Sequence, residues 1–138
     1  MEHEEYMRQA LELARRAMAE GEVPVGCVIV RDGAVVGRGR NRRETAQTAL
    51  GHAELEAIAQ ACRTLGGWRL AGCALYVTLE PCPMCAGAIV NARIPAVYYG
   101  AKDDKAGCCG SVLNLFEERF NHHPRIYGRV LEAECAAL

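Results

Sequence analysis

Apolar residues recur at helical spacing near the start of the chain. Four of them lie three or four positions apart: Met7, Leu11, Ala14 and Met18. This spacing predicts an amphipathic helix over residues 4 to about 19. A second run of the same kind begins at His52 and ends at Gly66-Gly67, and its apolar face consists of Leu55, Ile58, Ala59, Cys62 and Leu65.

Shorter apolar runs predict the strands of a sheet. Asp32-Gly33 is a hairpin turn signal, because both central residues of such a turn take positive φ. It separates a buried strand over 25–30 from a return strand over 35–41. Further strands are predicted over 74–79, 94–99 and 126–130. A third helix follows Cys85, a short helical turn is predicted over 112–116, and a last helix over 131–138.

The order of these elements predicts the fold class. A helix, a hairpin and then alternating helices and strands indicate an α/β protein, specifically a three-layer α-β-α sandwich around a central mixed five-stranded sheet. The central strands are expected to be joined by right-handed crossovers. At 138 residues, the chain is expected to form a single domain over 1–138.

Composition and net charge bear on whether the chain binds nucleic acid and where in the cell it lies. Apolar residues make up 51% and charged residues 24% of the chain, with a net charge of −1. This balance gives no global electrostatic case for nucleic-acid binding, so such a partner would need a local basic patch. The N-terminal residues are acidic and do not resemble a signal peptide, and no apolar run is long enough to span a membrane. A cytoplasmic location is therefore predicted.

One stretch carries candidate chemistry: Glu80-Pro81-Cys82-Pro83-Met84-Cys85. Its two cysteines follow a strand and precede a helix, where thiolates form readily and can converge on one point. A C-x-x-C of this kind is ambiguous between a metal site and a redox dithiol. His52-Ala53-Glu54 favours the metal, since H-x-E…P-C-x-x-C is the signature of zinc nucleobase deaminases.

The spacing of these residues assigns a role to each. His52, Cys82 and Cys85 supply three Zn²⁺ ligands, and a water completes an open catalytic site. Residues two apart on a regular helix point about 200° apart, so His52 and Glu54 meet only where a helix begins. The zinc is therefore expected where two helices begin. Glu54 would take a proton from the zinc-bound water and deliver it to the substrate.

Two alternatives remain open from these residues. A structural zinc site would close with a fourth ligand, for which the chain offers Cys108, Cys109, His122 and His123. A redox dithiol is the other, because C-P-x-C between a strand and a helix also resembles glutaredoxin. Such motifs usually follow the first strand of their fold, whereas here a helix, a hairpin and another helix come first. Among the remaining cysteines, Cys27, Cys62, Cys73 and Cys135 are expected to pack as small apolar residues, and no role is predicted for Cys108-Cys109.

From about Glu4 onward, the chain resembles the bacterial tRNA-specific adenosine deaminases of the cytidine-deaminase superfamily. The segments that carry the resemblance are Glu22-Val23-Pro24-Val25-Gly26, Gly39-Arg40-Asn41, His52-Ala53-Glu54, residues 76–88, Gly100-Ala101-Lys102-Asp103 and Phe120-Asn121-His122. The resemblance implies a cytidine-deaminase-like fold and hydrolysis of adenosine to inosine at the wobble position of a tRNA anticodon, as in arginine tRNA. It also implies a homodimer. Family members often continue past the position of Leu138 with a tail of aromatic and basic residues.

The resemblance further implies a set of substrate contacts. Asn41 would hydrogen-bond the flipped-out base, Val25 and Leu79 would line its pocket, and the Pro81 carbonyl would orient the leaving amine. Asp103 and Asn121 match family positions near the substrate backbone. A local phosphate-binding patch is expected from Arg40, Arg42, Arg43, Lys102 and Lys105. The alternative function keeps the zinc chemistry but deaminates a free nucleobase or nucleoside of the guanine or cytosine type.

Overall fold

The computed structural model describes residues 2–138 and contains a five-stranded sheet with four α-helices. The elements in chain order are α1 (Glu2–Ala19), β1 (Gly26–Arg31), β2 (Ala34–Arg40), α2 (Ala53–Leu65), β3 (Cys73–Leu79), α3 (Pro83–Asn91), β4 (Ala96–Ala101), a 3₁₀ turn (Leu115–Glu117), β5 (Arg125–Tyr127) and α4 (Glu132–Ala136). The strand order is β2-β1-β3-β4-β5. β1 is antiparallel to both β2 and β3, whereas β3, β4 and β5 are parallel. The predicted mixed five-stranded sheet is confirmed.

Helices cover both faces of the sheet. Side chains alternate between the faces along each strand, so Val28 and Tyr76 pack with α1 and α4, while Ile29 and Val77 pack with α2 and α3. Each face has its own cluster of buried apolar residues. The predicted three-layer α-β-α sandwich is therefore confirmed. Within residues 2–138, the helices are all too short or too polar to cross a membrane.

Several boundaries differ from the sequence prediction. α3 begins at Pro83 rather than after Cys85, because proline suits the first helical position, where its missing N–H would have no partner. β5 covers only Arg125–Tyr127. The longer strand predicted over 126–130 is wrong, because Gly128 packs against the Tyr99 ring and Arg129 has a φ of 68°, which ends the extended conformation.

Two further elements are shorter than predicted. The helical turn predicted over 112–116 forms later, at Leu115–Glu117, because Asn114 accepts a hydrogen bond from the Phe116 N–H and caps it. The last helix covers Glu132–Ala136 instead of 131–138. Leu131 has a φ of 51°, outside the right-handed helical region, so it precedes the helix.

A close approach between α2 and β2 places the start of α2. A Cβ atom at Gly39 would collide with the Ala53 carbonyl oxygen, so only glycine allows β2 to lie this near the first turn of α2. Asp32 and Gly33 have φ values of 50° and 78°, as the predicted hairpin turn requires. Since Gly39 pairs with Cys27 and Cys27 pairs with Val77, the first turn of α2 lies at the end of the sheet where β3 ends.

Candidate metal centre and active site

Two candidate ligands lie at the starts of neighbouring helices. His52 is the N-cap residue of α2 and Cys82 is the N-cap residue of α3. N-cap side chains usually accept a hydrogen bond from their own helix, but neither of these side chains does so. Both are therefore available to bind something else, and Cys85 in the first turn of α3 joins them.

The donor atoms of these three residues have the spacing of a zinc site. His52 Nδ1 lies 3.6 Å from Cys82 Sγ and 3.5 Å from Cys85 Sγ, and all three donors lie within 4.8 Å of one another. Zn–S bonds of about 2.3 Å and Zn–N bonds of about 2.1 Å at tetrahedral angles give an N–S separation of about 3.6 Å. One imidazole nitrogen and two sulfurs thus fit zinc, leaving one coordination position open.

A hydrogen bond between the two cysteine side chains moves their pKa values in opposite directions. A hydrogen bond from Cys85 lowers the pKa of Cys82 to about 5. The same hydrogen bond, together with burial, raises the pKa of the Cys85 thiol. Cys82 is therefore a thiolate at neutral pH, and a cation would displace the proton that remains on Cys85.

Glu54 lies beside this cluster in the first turn of α2. Its side chain is buried, and burial raises its pKa to about 7. A carboxyl group with this pKa exchanges a proton easily near neutral pH. Glu54 therefore has the position and the acidity of a proton shuttle.

Glu54, His52 and Cys82 open onto a cavity of about 410 Å³. Four of the predicted substrate contacts lie in its wall: Val25, Asn41, Leu79 and Asp103. Asn41 is buried, and its Oδ1 accepts a hydrogen bond from the Arg43 N–H at 3.0 Å. This contact directs the amide and leaves Nδ2 as the donor for a ligand.

The other two predicted contacts, Pro81 and Asn121, are not among the residues that line this cavity. The Pro81 carbonyl accepts a hydrogen bond from the Cys108 N–H at 2.8 Å, so one of its two lone pairs is already used. Asn121 lines a separate depression of about 270 Å³ beside α3, together with Arg93 and Phe120. The structure therefore does not bring Asn121 to the cavity that holds Glu54, and the roles of both residues stay predictions.

Two buried glutamates shape the cavity wall and were missed by the sequence analysis. The Glu22 carboxylate accepts hydrogen bonds from the N–H groups of Glu44 and Thr45 and from the Thr45 hydroxyl, which fixes the loop between β2 and α2. The hydrogen bond from Thr45 lowers the pKa of Glu22. Glu80 likewise accepts hydrogen bonds from backbone N–H groups and so fixes the loop after β4. Both glutamates lie in segments that carry the family resemblance, but no pattern in the sequence indicates the groups they bind.

Two of the five residues of the expected basic patch, Arg40 and Arg42, are ion-paired with glutamates. Arg40 makes two hydrogen bonds to the Glu20 carboxylate, at 2.7 and 2.9 Å, and Arg42 lies 3.6 Å from Glu56. Arg43 lies in the cavity wall. Among the arginines of the expected patch, Arg43 is the one that lines the cavity.

Comparison with known proteins identifies the family. The model of the MafB19-like deaminase family matches residues 1–133. The chain belongs to this deaminase family. A tRNA-specific adenosine deaminase from Bacillus subtilis (strain 168) is 51% identical over 134 residues, covering 96% of this chain and 83% of that protein. The chain is thus a member of the tRNA-specific adenosine deaminases within the cytidine-deaminase superfamily.

Solved structures of related deaminases have the same fold. One comes from a study of A-to-I editing by tRNA:A34 deaminases at the wobble position of transfer RNA. It has a TM-score of 0.93 and 45% identity, covering 96% of this deaminase and 97% of the solved chain. A guanine deaminase from Bacillus subtilis has a TM-score of 0.71 and 45% identity, covering 74% of this chain and 66% of its own.

The structure also shows whether a fourth protein ligand is close enough to close the zinc site of this deaminase. Over residues 2–138, the metal-binding cluster contains His52, Cys82 and Cys85 alone. His122 contacts the Ile94 carbonyl and His123 contacts the Glu118 carbonyl. Cys108 and Cys109 are buried and lie outside the cluster. The described residues therefore leave the site open, as a catalytic zinc site requires.

Proposed function

We propose that this protein catalyses the zinc-dependent hydrolytic deamination of adenosine to inosine at the wobble position of a tRNA anticodon. This proposal rests on one observation: Glu54 opens onto the same cavity as His52 and Cys82, two residues of the three-residue metal cluster. The B. subtilis relative at 51% identity, which is named a tRNA-specific adenosine deaminase, supports adenosine in tRNA as the substrate.

The residues divide the chemistry between them. His52, Cys82 and Cys85 would hold a zinc ion, which as a Lewis acid would make water nucleophilic near neutral pH. Glu54 accepts the proton of the water that adds to C6 and passes it to a ring nitrogen. It then takes the proton of the new C6 hydroxyl group and delivers it to the amine; the C6–N bond breaks, ammonia leaves and the C6 carbonyl of inosine forms. Water and adenosine thus become inosine and ammonia, and Glu54 returns to its starting state.

The cavity wall holds the base. A flipped-out nucleotide is read by hydrogen bonds to its edges and by apolar contacts with its faces. Asn41 Nδ2 is placed to donate to the base, and Val25 and Leu79 contact its faces. In the proposed complex, the second lone pair of the Pro81 carbonyl orients the leaving amine, and Asp103 and Asn121 contact the RNA backbone.

Inosine formation in an anticodon stem-loop with adenosine at the wobble position tests this proposal. Wild-type protein loaded with zinc is expected to convert the wobble adenosine, and the same stem-loop with guanosine there is the control. The 45% identity to a guanine deaminase makes free guanine the competing substrate. Rapid deamination of guanine with no inosine in the RNA would replace the proposed function by a free-base deaminase.

Arg43 is expected to contribute to RNA binding through a substrate phosphate. We predict that Arg43→Ala raises KM for the stem-loop. The slope of log KM against log salt concentration should fall by about 1, the value for one lost phosphate contact. Arg40→Ala is the matched control, because Glu20 already neutralises Arg40. An equal loss of salt dependence in both variants would contradict this role for Arg43.

We propose that the protein acts as a cytoplasmic homodimer, with arginine tRNA as its substrate. Support for the dimer comes from exposed apolar residues: Val112, Leu113 and Phe120 are 55%, 45% and 47% exposed. Phe120 also lines the depression beside α3.

Phe120→Glu is therefore expected to shift the sedimentation profile from dimer to monomer, because it places a charge on the apolar surface. Tyr127→Glu, which changes another exposed aromatic residue, is the control. A wild-type monomer at micromolar concentration would contradict the dimer.

A further inference from the structure

Glu80 joins the end of β3 to the loop that follows β4. Its side chain is 2% exposed. Oε1 accepts a hydrogen bond from the Asp103 N–H at 3.1 Å and another from the Ser111 hydroxyl. Oε2 accepts from the N–H groups of Cys109 and Ser111 at 2.7 and 3.1 Å. A buried carboxylate is costly unless its oxygens are hydrogen-bonded, so these four bonds define one conformation of residues 103–111, the 103–111 loop.

The sequence of the 103–111 loop is fitted to this carboxylate. The Gly107 N–H donates to the Asp103 carbonyl at 2.8 Å, which closes a turn around Glu80. A Cβ atom at position 107 would collide with Glu80 Cδ. Glycine therefore allows the loop backbone to lie directly against the glutamate side chain.

The same loop forms one wall of the cavity. Asp103 and Ala106 line it, and the Asp103 carboxylate accepts hydrogen bonds from the Lys105 and Ala106 N–H groups at 3.0 and 3.2 Å. The Cys108 N–H donates to the Pro81 carbonyl at 2.8 Å. The conformation of the loop thus sets the cavity wall and also holds the backbone that precedes Cys82.

We infer that Glu80 is a positioning residue for deamination, which acts by holding the 103–111 loop as the wall of the substrate cavity. This inference rests on the proposed function. The four hydrogen bonds occupy the carboxylate, so Glu80 acts on the substrate through Asp103, Ala106 and the Pro81 carbonyl. A displaced wall misplaces the base relative to Glu54, and a shift of about 1 Å can cost about 100-fold in rate.

Glu80→Gln tests the inference with little change in volume. The side-chain amide of glutamine carries N–H donors, and these would face the N–H donors of the loop. Two donors cannot hydrogen-bond each other, so the loop is expected to move. With zinc still at one ion per chain, we expect kcat/KM for the stem-loop to fall about 10- to 100-fold, with KM raised. A loss of folded enzyme alone would lower kcat and leave KM unchanged. Wild-type KM and kcat per zinc-loaded chain in Glu80→Gln would overturn the inference.

Two further variants keep the test decisive if Glu80→Gln does not fold. Ser111→Ala removes one of the four donors, and the net value of one hydrogen bond predicts a rise in KM of roughly 2- to 10-fold. Gly107→Ala disturbs the same contact from the loop side. If the effects of Ser111→Ala and Gly107→Ala on KM are less than additive in the double variant, the two residues act through the same contact. An unchanged KM in Ser111→Ala would overturn the inference.

The exposed Glu117 provides a matched control, since Glu117→Gln makes the same substitution outside the cavity and should retain wild-type kinetics. Failure of the proposed function has a different signature, because the wild-type protein itself would then leave the stem-loop unchanged. The role of Glu80 is tested in that case with the free base that the wild-type protein deaminates, and the same KM criterion applies.

Discussion

Glu54→Gln should abolish measurable deamination while leaving zinc bound at one ion per chain. The substitution keeps the shape of the side chain but removes the group that moves protons, and general acid–base catalysis contributes about 10²- to 10⁴-fold. The same carboxyl group is buried with a pKa raised to about 7, so ionising it costs stability in the folded state. The variant should therefore unfold at the same temperature as the wild type or higher.

Three measurements together check the role of Glu54: inosine formation, zinc content and thermal unfolding. Glu56→Gln is the matched control, because Glu56 is on the same helix and contacts Arg42. Inactive Glu54→Gln protein with low zinc would indicate a role in metal binding instead. Retained activity would remove Glu54 from the mechanism.

Cys82→Ser should lose both zinc and activity. Serine offers a poor ligand in place of a thiolate whose pKa is already lowered to about 5. Loss of a residue that only hydrogen-bonds a zinc ligand lowers zinc affinity by up to about 100-fold. Loss of a ligand itself should lower zinc affinity further. Deamination should then fall at least as far as in Glu54→Gln.

Metal analysis of dialysed protein, with activity measured on the same sample, checks the role of Cys82. Cys62→Ser is the matched control, since Cys62 is half-buried in α2, and it should retain one zinc per chain. Equal zinc loss in both variants would show that the effect is general destabilisation. Full zinc content in Cys82→Ser would exclude Cys82 as a ligand.

The central site was accessible from the sequence because its geometry depends on local rules. His52 and Glu54 are two residues apart and can face one point only where a helix begins. The structure places His52 at the N-cap of α2 and Cys82 at the N-cap of α3. The hairpin at Asp32-Gly33 was equally local, since its turn requires positive φ.

The cavity wall was not accessible in this way. Glu22 and Glu80 bind backbone groups about 20 to 30 residues away in sequence, and no periodicity records such contacts. The ion pair of Arg40 with Glu20 joins residues that are distant in sequence, and no spacing rule predicts it. Asn121 shares a motif with the family, but its distance from Glu54 depends on how α3 and the later loops pack.

The two loop-holding glutamates have a consequence for how substrate preference can evolve. Glu22 and Glu80 bind mainly backbone N–H groups, and nearly every amino acid has such a group. Most side chains in these loops can therefore mutate without changing the path of the main chain. A lineage can vary loop residues that line the cavity, such as Glu44 and Ala106, while the backbone frame stays constant. New substrate preferences can then arise without a change of fold.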